Sequence, residues 1–177
     1  VAVATGLVSF ALGTDTAGSG RVPAGFNNIV GLKPTPGLIS TSGVVPACRS
    51  LDCMSVFALT CEDAGYVMQV MRGFDANDIY ARFDTDDAVR HPGSAGHFRC
   101  GVPAAAQLEF FGDAAAQAAF EQSLANLREI GAELVEIDFP PFLDTARLLY
   151  QGPWVAERYA GIKAFLEAHP EDVHPVT

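Results

Sequence analysis

A glycine-rich turn directly after an apolar segment constrains this chain more than any other feature of its sequence. Residues 7–12 form an apolar run typical of a buried strand, and residues 13–24 follow it with the sequence GTDTAGSGRVPA. Ser19 stands at the tip of this turn between Gly18 and Gly20, which lack the Cβ atoms that would crowd a bound molecule. We therefore expect an exposed hydroxyl beside unpaired backbone N–H groups, which together supply a nucleophile and an oxyanion site for acyl transfer.

Two other interpretations of the turn are simpler. Glycine–serine turns are common, and a turn serine is more often an ordinary loop residue than a nucleophile. A phosphate-binding loop offers similar N–H donors, but it ends in Gly-Lys-Ser or Gly-Lys-Thr, whereas Gly20 is followed by Arg21. The glycine spacing also departs from the Gly-x-Gly-x-x-Gly of dinucleotide-binding proteins.

Several further motifs resemble the core of the amidase signature family of serine hydrolases. The likeness extends over residues 5–65 and includes, besides the turn, FNN at 26–28, GLKPTPG at 31–37 and SLD at 50–52. Within the family, two separate runs resemble the allophanate hydrolases, which are the amidase parts of urea amidolyases. These runs are VVPACRSLDC at 44–53 and LYQGPWVAERY at 149–159.

The resemblance implies which groups carry the chemistry. Ser19 matches the nucleophile of the family. The family forms its oxyanion hole from backbone N–H groups that correspond to those of Thr16, Ala17, Gly18 and Ser19. In the family a neutral lysine takes a proton from a second serine, which in turn serves the nucleophile. Both of these relay groups lie upstream of the position that Val1 matches.

Neither lysine of this sequence matches that proton acceptor. Lys33 lies in the GLKP motif and is given a structural role, and Lys163 lies near Glu167 on a helix and is expected to face solvent. The chain also begins at Val1 within an apolar run. We therefore expect residues 1–177 to be a partial amidase-signature domain that lacks its N-terminal part and is inactive by itself.

Three charged side chains lie close to the turn or in the SLD motif, namely Asp15, Arg21 and Asp52. Asp15 and Arg21 are near enough in sequence to pair with each other or to bond the turn backbone. We expect all three to orient the backbone rather than to take part in the chemistry.

The LYQGPWVAERY run implies an anionic substrate. Allophanate is a small planar anion with a carboxylate at one end and a urea-like amide at the other. The planar guanidinium of Arg158 suits that carboxylate, and Tyr150 can donate a hydrogen bond nearby. Without the resemblance, the simpler interpretation of Arg158 is a surface residue paired with Glu157 or Glu167.

Composition and charge exclude several classes of function. The formal net charge of −10 argues against nucleic acid or a membrane as partner, because both need basic surfaces. No apolar run approaches the roughly 20 residues of a membrane span, and we expect no signal peptide. The four cysteines form no C-x-x-C pair and the four histidines no i,i+4 pair, so we expect reduced thiols, a cytoplasmic protein and no metal. Residues 72–97 are expected to be a solvated acidic connection, with a carboxylate metal site as the alternative.

The order of predicted elements indicates an α/β fold with a mixed β-sheet flanked by helices, a partial amidase-signature fold. We expect helices over 22–28 with a start near Pro23, over 62–71, from a cap at Asp113 to 130, and from 143 to about 169. Strands are expected over 98–103 and 135–139, the latter because apolar and acidic residues alternate there.

The sequence therefore predicts part of a serine amidohydrolase. The intact enzyme would hydrolyse allophanate to ammonia and carbon dioxide through an acyl-enzyme on Ser19, in the degradation of urea. No cofactor belongs to this part, a biotin-dependent urea carboxylase would supply the substrate, and a homodimer is an open expectation. The alternatives are an amidase for aryl or aliphatic amides, a subunit that takes ammonia from glutamine, and a non-catalytic remnant of the fold.

Overall fold

The computed structural model describes residues 1–83 and 96–174, which fall into two compact units. One unit comprises Val1–Asp86 with Leu149–Thr177, and the other comprises Asp87–Leu148. Part of the predicted acidic connection, including Asp84, Asp86, Asp87 and His91, lies outside the described residues.

The first unit is built on a three-stranded antiparallel sheet. Its strands, in the spatial order β1-β3-β2, are β1 (Phe10–Thr14), β2 (Val30–Leu32) and β3 (Met54–Ala58). The central strand β3 pairs with both neighbours, and its Val56 and Ala58 are completely buried. The sheet therefore supplies the surface on which the first two helices of this unit pack.

Helix α2 (Cys61–Met71) covers this sheet, as the predicted helix over 62–71 requires. The Thr60 side chain caps it by accepting a hydrogen bond from the Asp63 N–H at 3.0 Å. Ala64 joins the buried cluster of β3, while Val67 and Met71 pack against that cluster from the same helix face. This i, i+3, i+7 spacing is the apolar stripe that the sequence shows.

The glycine-rich turn connects β1 to α1 (Arg21–Phe26) and is packed from below by β2. The helix begins at Arg21, one residue before the predicted Val22, and ends at Phe26, two residues before the predicted Asn28. A Cβ atom on Gly31 would lie 2.6 Å from the Gly20 carbonyl oxygen and 2.7 Å from the Ala24 Cβ. Only a glycine in β2 permits this approach, so Gly31 helps to define the position of the turn.

The apolar segment before the turn differs from its prediction as a buried strand. Strand β1 begins at Phe10, and residues 7–9 form a bend. Strand β1 lies at the edge of its sheet, and Phe10 and Leu12, which share one face of it, remain 46% and 45% exposed. Apolar character alone does not tell an edge strand from a central one.

Two helices, rather than one, occupy the helical stretch predicted from 143 to 169. They are α4 (Pro140–Gln151) and α5 (Pro153–Ala168), and the extended backbone of Gly152 separates them. Pro153 stands in the first turn of α5, where its missing N–H costs no hydrogen bond. Helix α5 belongs to the first unit.

The second unit contains a parallel pair of strands joined by a helix. Strands β4 (Phe98–Pro103) and β5 (Ala132–Ile137) pair in parallel, and α3 (Ala114–Glu129) forms the crossover. The Asp113 carboxylate accepts hydrogen bonds from the Ala115 and Ala116 N–H groups at 3.0 and 2.9 Å, which confirms the predicted cap. Strand β5 begins before the predicted residue 135 and ends before Phe139, whose N–H instead donates to the Gln107 side chain.

The α/β fold class predicted from the sequence is confirmed. The described strands form two sheets, one antiparallel and one parallel, with helices packed on them. Within the part of the chain that the structure describes, no helix is both long enough and apolar enough to cross a bilayer.

Candidate active site

The turn that carries Ser19 is held from the inside by a fully buried carboxylate. Asp15 accepts a hydrogen bond from the Gly18 N–H at 2.7 Å and one from the Arg21 N–H at 3.2 Å. The Arg21 guanidinium completes the arrangement with bonds from Nε at 2.9 Å and Nη2 at 3.1 Å. Ser19 itself is exposed at the tip. The predicted structural role of Asp15 and Arg21 is thereby confirmed.

The ion pair keeps Asp15 charged. The hydrogen bond from the Arg21 guanidinium is the largest cause that lowers the pKa of Asp15 to about 2, and the backbone N–H donors add to it against the opposing effect of burial. The hydrogen bond with Asp15 in turn raises the pKa of the Arg21 guanidinium. A charged Asp15 is therefore a permanent acceptor for the turn and is unsuited to act as a base.

The four predicted oxyanion donors are not equivalent. The Gly18 N–H points inward to Asp15 and is already used. Among the described residues, the N–H groups of Thr16, Ala17 and Ser19 have no hydrogen-bond acceptor. Gly18 also has a φ of +133°, a conformation that other residues rarely adopt. The turn thus presents three unpaired donors beside the exposed hydroxyl, and Gly18 serves the shape of the turn.

Asp52 holds the opposite side of the turn. Its Oδ1 accepts a short hydrogen bond from the Thr16 hydroxyl and another from the Cys48 N–H at 3.1 Å, and its Oδ2 accepts from the Ala47 N–H at 3.0 Å. The Asp52 N–H in turn donates to the Cys48 carbonyl at 2.8 Å. Asp52 is buried, and the predicted backbone-orienting role is confirmed.

Glu157 on α5 bonds the segment next to Asp52. It accepts from the Ser50 N–H at 2.8 Å and from the Ser50 hydroxyl at 2.7 Å. The hydroxyl bond is the largest cause that lowers the pKa of Glu157. This pair was not predicted from the sequence. The only indication of it was that Ser50 lies in the run at 44–53 and Glu157 in the run at 149–159, the two runs that resemble allophanate hydrolases.

Among the described residues, no acidic side chain forms an ion pair with Arg158. The alternative prediction paired it with Glu157 or Glu167, but Glu157 bonds Ser50, and Glu167 bonds the Tyr159 hydroxyl at 3.0 Å. Among the described residues, the buried Nε of Arg158 has no hydrogen-bond partner. The guanidinium carbon instead lies 5.1 Å from the centre of the Tyr150 ring.

The structure brings the predicted residues together in two groups, the Ser19 turn and the Tyr150–Arg158 pair. In the described residues no hydrogen bond joins Ser19 to Tyr150 or Arg158 directly. Ser19 does not line the four cavities formed by residues within 41–80, 106–117, 1–57 and 102–136 of the described chain. A cavity of about 590 Å³ does reach Asp52, and its wall is formed mainly by residues 41–46 and 77–80.

The lysines and the acidic residues have other roles. The Lys33 ammonium lies 3.4 Å from the Pro34 carbonyl oxygen, and the half-exposed Lys163 lies 3.6 Å from Glu167, which confirms its predicted exposure. In the predicted acidic connection, Asp75 accepts from Ser40 and Asp78 from Thr41. These two carboxylates thus tie the connection to the loop at 40–41, and no metal is needed to explain them.

One group with metal-ligand geometry occurs among the described residues. A ligand atom from each of His169, Glu171 and Asp172 lies within 4.8 Å of the others. All three residues are exposed, and His169 already faces Asp172 at 3.8 Å. Exposed acidic groups of this kind are common without a metal ion, and this one remains outside the candidate site.

Known proteins resemble the chain over most of its length. The family model described as Amidase matches residues 1–173. The urea amidolyase of Saccharomyces cerevisiae is 46% identical over 169 residues, which are 95% of this chain and 9% of that protein. A glutamyl-tRNA(Gln) amidotransferase subunit of Chlorobaculum tepidum is 43% identical over 143 residues, which are 78% of this chain and 29% of that protein.

A solved structure shows the same backbone. The SeMet-substituted allophanate hydrolase of Kluyveromyces lactis superposes with a TM-score of 0.86 and 44% identity, over 96% of this chain and 27% of that one. The chain therefore spans only a small part of the proteins that it matches. The full-length family match and these identities establish that the chain belongs to the amidase family.

Proposed function

We propose that Ser19 is the nucleophile of an amide hydrolase. The observation that carries the proposal is an exposed serine hydroxyl beside three unpaired N–H groups on a turn held by the buried Asp15. Donors fixed before the reaction stabilise the developing oxyanion without a reorganisation cost, and each is typically worth about 10²–10³ in rate. Thr16, Ala17 and Ser19 supply these donors, and Gly18 shapes the turn.

The proposed substrate is allophanate, bound through its carboxylate. Arg158 offers a permanent cation whose buried Nε lacks an acceptor, and in the described part of the chain no neighbouring acid neutralises it. A carboxylate would accept hydrogen bonds from the two terminal nitrogens together. The stacked Tyr150 limits the rotation of the guanidinium, and its hydroxyl is available as a donor. The similarity to urea amidolyase and allophanate hydrolase supports the same substrate.

The reaction proceeds in two steps. The Ser19 hydroxyl oxygen attacks the urea-like carbonyl carbon of allophanate, the carbonyl oxygen becomes the oxyanion, and the C–N bond to the terminal amine breaks. The amine leaves as ammonia with the proton of the hydroxyl, and the acyl group remains on Ser19. Water then attacks the acyl-enzyme and restores the serine. The released N-carboxycarbamate breaks down to ammonia and carbon dioxide.

The proton acceptor for Ser19 is not found among the described residues. Lys33 lies against a carbonyl oxygen, and Lys163 pairs with Glu167 in solvent. The proposed acceptor is the lysine–serine relay of the family, whose matching positions precede Val1. We therefore expect these 177 residues by themselves to be nearly inactive. A urea carboxylase is the proposed supplier of the substrate. The cytoplasmic location, the homodimer and the interpretation of the chain as a partial domain remain predictions.

Ammonia release by the complete gene product tests the proposal. We expect hydrolysis of allophanate, and a loss of at least about 10³-fold in kcat for Ser19→Ala. Ser123→Ala is the matched control, because that hydroxyl only bonds the Ala119 carbonyl on an exposed helix face. A Ser19→Ala protein with the parental rate would refute the assignment.

A related amidase is the second candidate, favoured by the similarity to the amidotransferase subunit. It predicts that glutamine or a neutral amide is hydrolysed faster than allophanate. A complete gene product that releases ammonia from none of these amides would instead be a non-catalytic remnant of the fold.

A further inference from the structure

We propose that Glu157 is a positioning residue that holds Arg158 in register with the oxyanion donors by binding Ser50. The proposal rests on the assignment of Arg158 as the carboxylate-binding residue. It adds a specificity role for a pair of residues that do not touch the substrate themselves.

Both carboxylate oxygens of Glu157 are directed to Ser50, and among the described residues no ion pair joins Glu157 to Arg158. One oxygen accepts the Ser50 N–H and the other accepts the Ser50 hydroxyl, at 2.8 and 2.7 Å. Neighbouring residues of a helix point about 100° apart, so Glu157 and Arg158 face different directions on α5. The bond to Ser50 thus removes the nearest competing anion and leaves the guanidinium open for a ligand.

Ser50 is joined to the oxyanion turn through the short hydrogen-bonded segment 48–52. Ser50 lies inside a tight turn that the Asp52 N–H closes on the Cys48 carbonyl at 2.8 Å. The Asp52 carboxylate then accepts the Thr16 hydroxyl, and the Thr16 N–H is one of the unpaired donors. The Thr16–Asp52 hydrogen bond, the backbone of residues 50–52 and the Ser50–Glu157 hydrogen bonds therefore connect the donor turn to the helix that carries Arg158.

Part of this connection is buried. Cys48 is buried beside it, and burial followed by the nearby negative charge of Glu157 raises the pKa of the thiol. Glu157 itself is half-buried. The contact is exposed, but it consists of two hydrogen bonds from one residue to both carboxylate oxygens, and through them it sets the separation between the oxyanion donors and the guanidinium. That separation therefore selects small substrates that carry an amide at one end and a carboxylate at the other.

The experiment compares two stable amides in the complete gene product. Malonamate carries a carboxylate where malonamide carries a second amide, and the two are otherwise alike. We expect Glu157→Ala to raise KM for malonamate about tenfold with little change in kcat, because a charge-assisted contact that sets the register is lost. Hydrolysis of malonamide should stay within about twofold of the parent.

Three further variants separate positioning from a general structural effect. Glu157→Gln keeps one acceptor oxygen and should restore part of the malonamate affinity. Ser50→Ala removes the hydroxyl bond alone, and its effect should not add to that of Glu157→Ala in the double variant. Glu167→Ala is the control on the same helix, since Glu167 bonds only the exposed Tyr159 and Lys163.

The outcomes that overturn the proposal are distinct from failure of the proposed function. Equal losses on both amides, or no loss on either, would refute positioning even if Ser19→Ala abolishes ammonia release. If the parent releases no ammonia at all, calorimetric titration with malonamate decides. Weaker binding by Glu157→Ala upholds the inference, whereas unchanged binding, or no binding to the parent, refutes it.

Discussion

The Asp15 carboxylate and the Arg21 guanidinium form two hydrogen bonds, at 2.9 and 3.1 Å, across the base of the turn that carries Ser19. The same carboxylate accepts the Gly18 N–H, so a single buried charge holds both arms of the turn. The N–H groups that we propose as oxyanion donors thus keep their orientation without a bound molecule. We therefore expect the stability of the turn and the proposed activity to depend on the same residue.

Replacement of that carboxylate should change the dependence of stability on pH. The pKa of Asp15 is lowered to about 2, chiefly by the hydrogen bond from Arg21, so its contribution is complete above the ordinary carboxyl pKa and is lost as pH falls through about 2. We expect Asp15→Asn to lower the free energy of unfolding at neutral pH by about 1–2 kcal/mol, a value reduced because Arg21 is half-exposed. Urea denaturation from about pH 2 to 7 measures both effects.

The control for this prediction is Asp144→Asn, which breaks an ion pair with Arg147 whose side chains are 67% and 62% exposed. Such surface pairs contribute little, so the unfolding curves should change by less than about 0.5 kcal/mol. An Asp15→Asn protein with the parental loss of stability below about pH 4 would contradict the role of the buried pair.

Gly31→Ala should disturb the turn from below. The new Cβ would lie 2.6 Å from the Gly20 carbonyl oxygen, which is backbone and cannot move without displacing the turn. We expect a loss of about 1–3 kcal/mol in unfolding free energy together with a lower kcat. Gly65→Ala is the matched control, because no atom lies within 4 Å of its Cβ position and alanine favours the helix by up to about 1 kcal/mol. Equal stability of the two variants would argue against the close approach.

Thr16→Val tests whether Asp52 aligns the oxyanion donors. Valine keeps the shape of threonine but removes the hydroxyl that donates to the Asp52 carboxylate. We expect kcat to fall about tenfold with KM nearly unchanged, because donor alignment matters more in the transition state than in the bound substrate. Steady-state kinetics on allophanate measure the two constants. A change confined to KM would place Thr16 in substrate binding instead.

Arg158→Leu should remove the preference for a carboxylate. The leucine cannot donate to the anion, and we expect kcat/KM for malonamate to fall by about 100-fold while malonamide is affected far less. Arg158→Lys should recover only part of the loss, because an ammonium cannot form the paired contact. Arg147→Leu, on an exposed face of α4, is the control. Full activity of Arg158→Leu on malonamate would show that another group binds the carboxylate.

Local sequence determined much of the architecture. The Asp113 cap, the proline at the start of α5 and the apolar stripe of α2 each act within a few residues, so their positions follow from chain chemistry alone. The glycine-rich turn with Ser19 at its tip is a local feature of the same kind, and the motifs around it were sufficient to indicate the family.

Tertiary structure alone decided how these parts are used. The Gly18 N–H is taken by Asp15, Glu157 binds Ser50 across 107 positions of the chain, and Arg158 is left without an acid among the described residues. Helical and strand periodicity describe which face of one element is apolar, but they carry no information about which distant polar group meets another. Donor satisfaction is settled only when the folded chain brings those groups within bonding distance, and for that reason the arrangement of the site could not be predicted from the sequence.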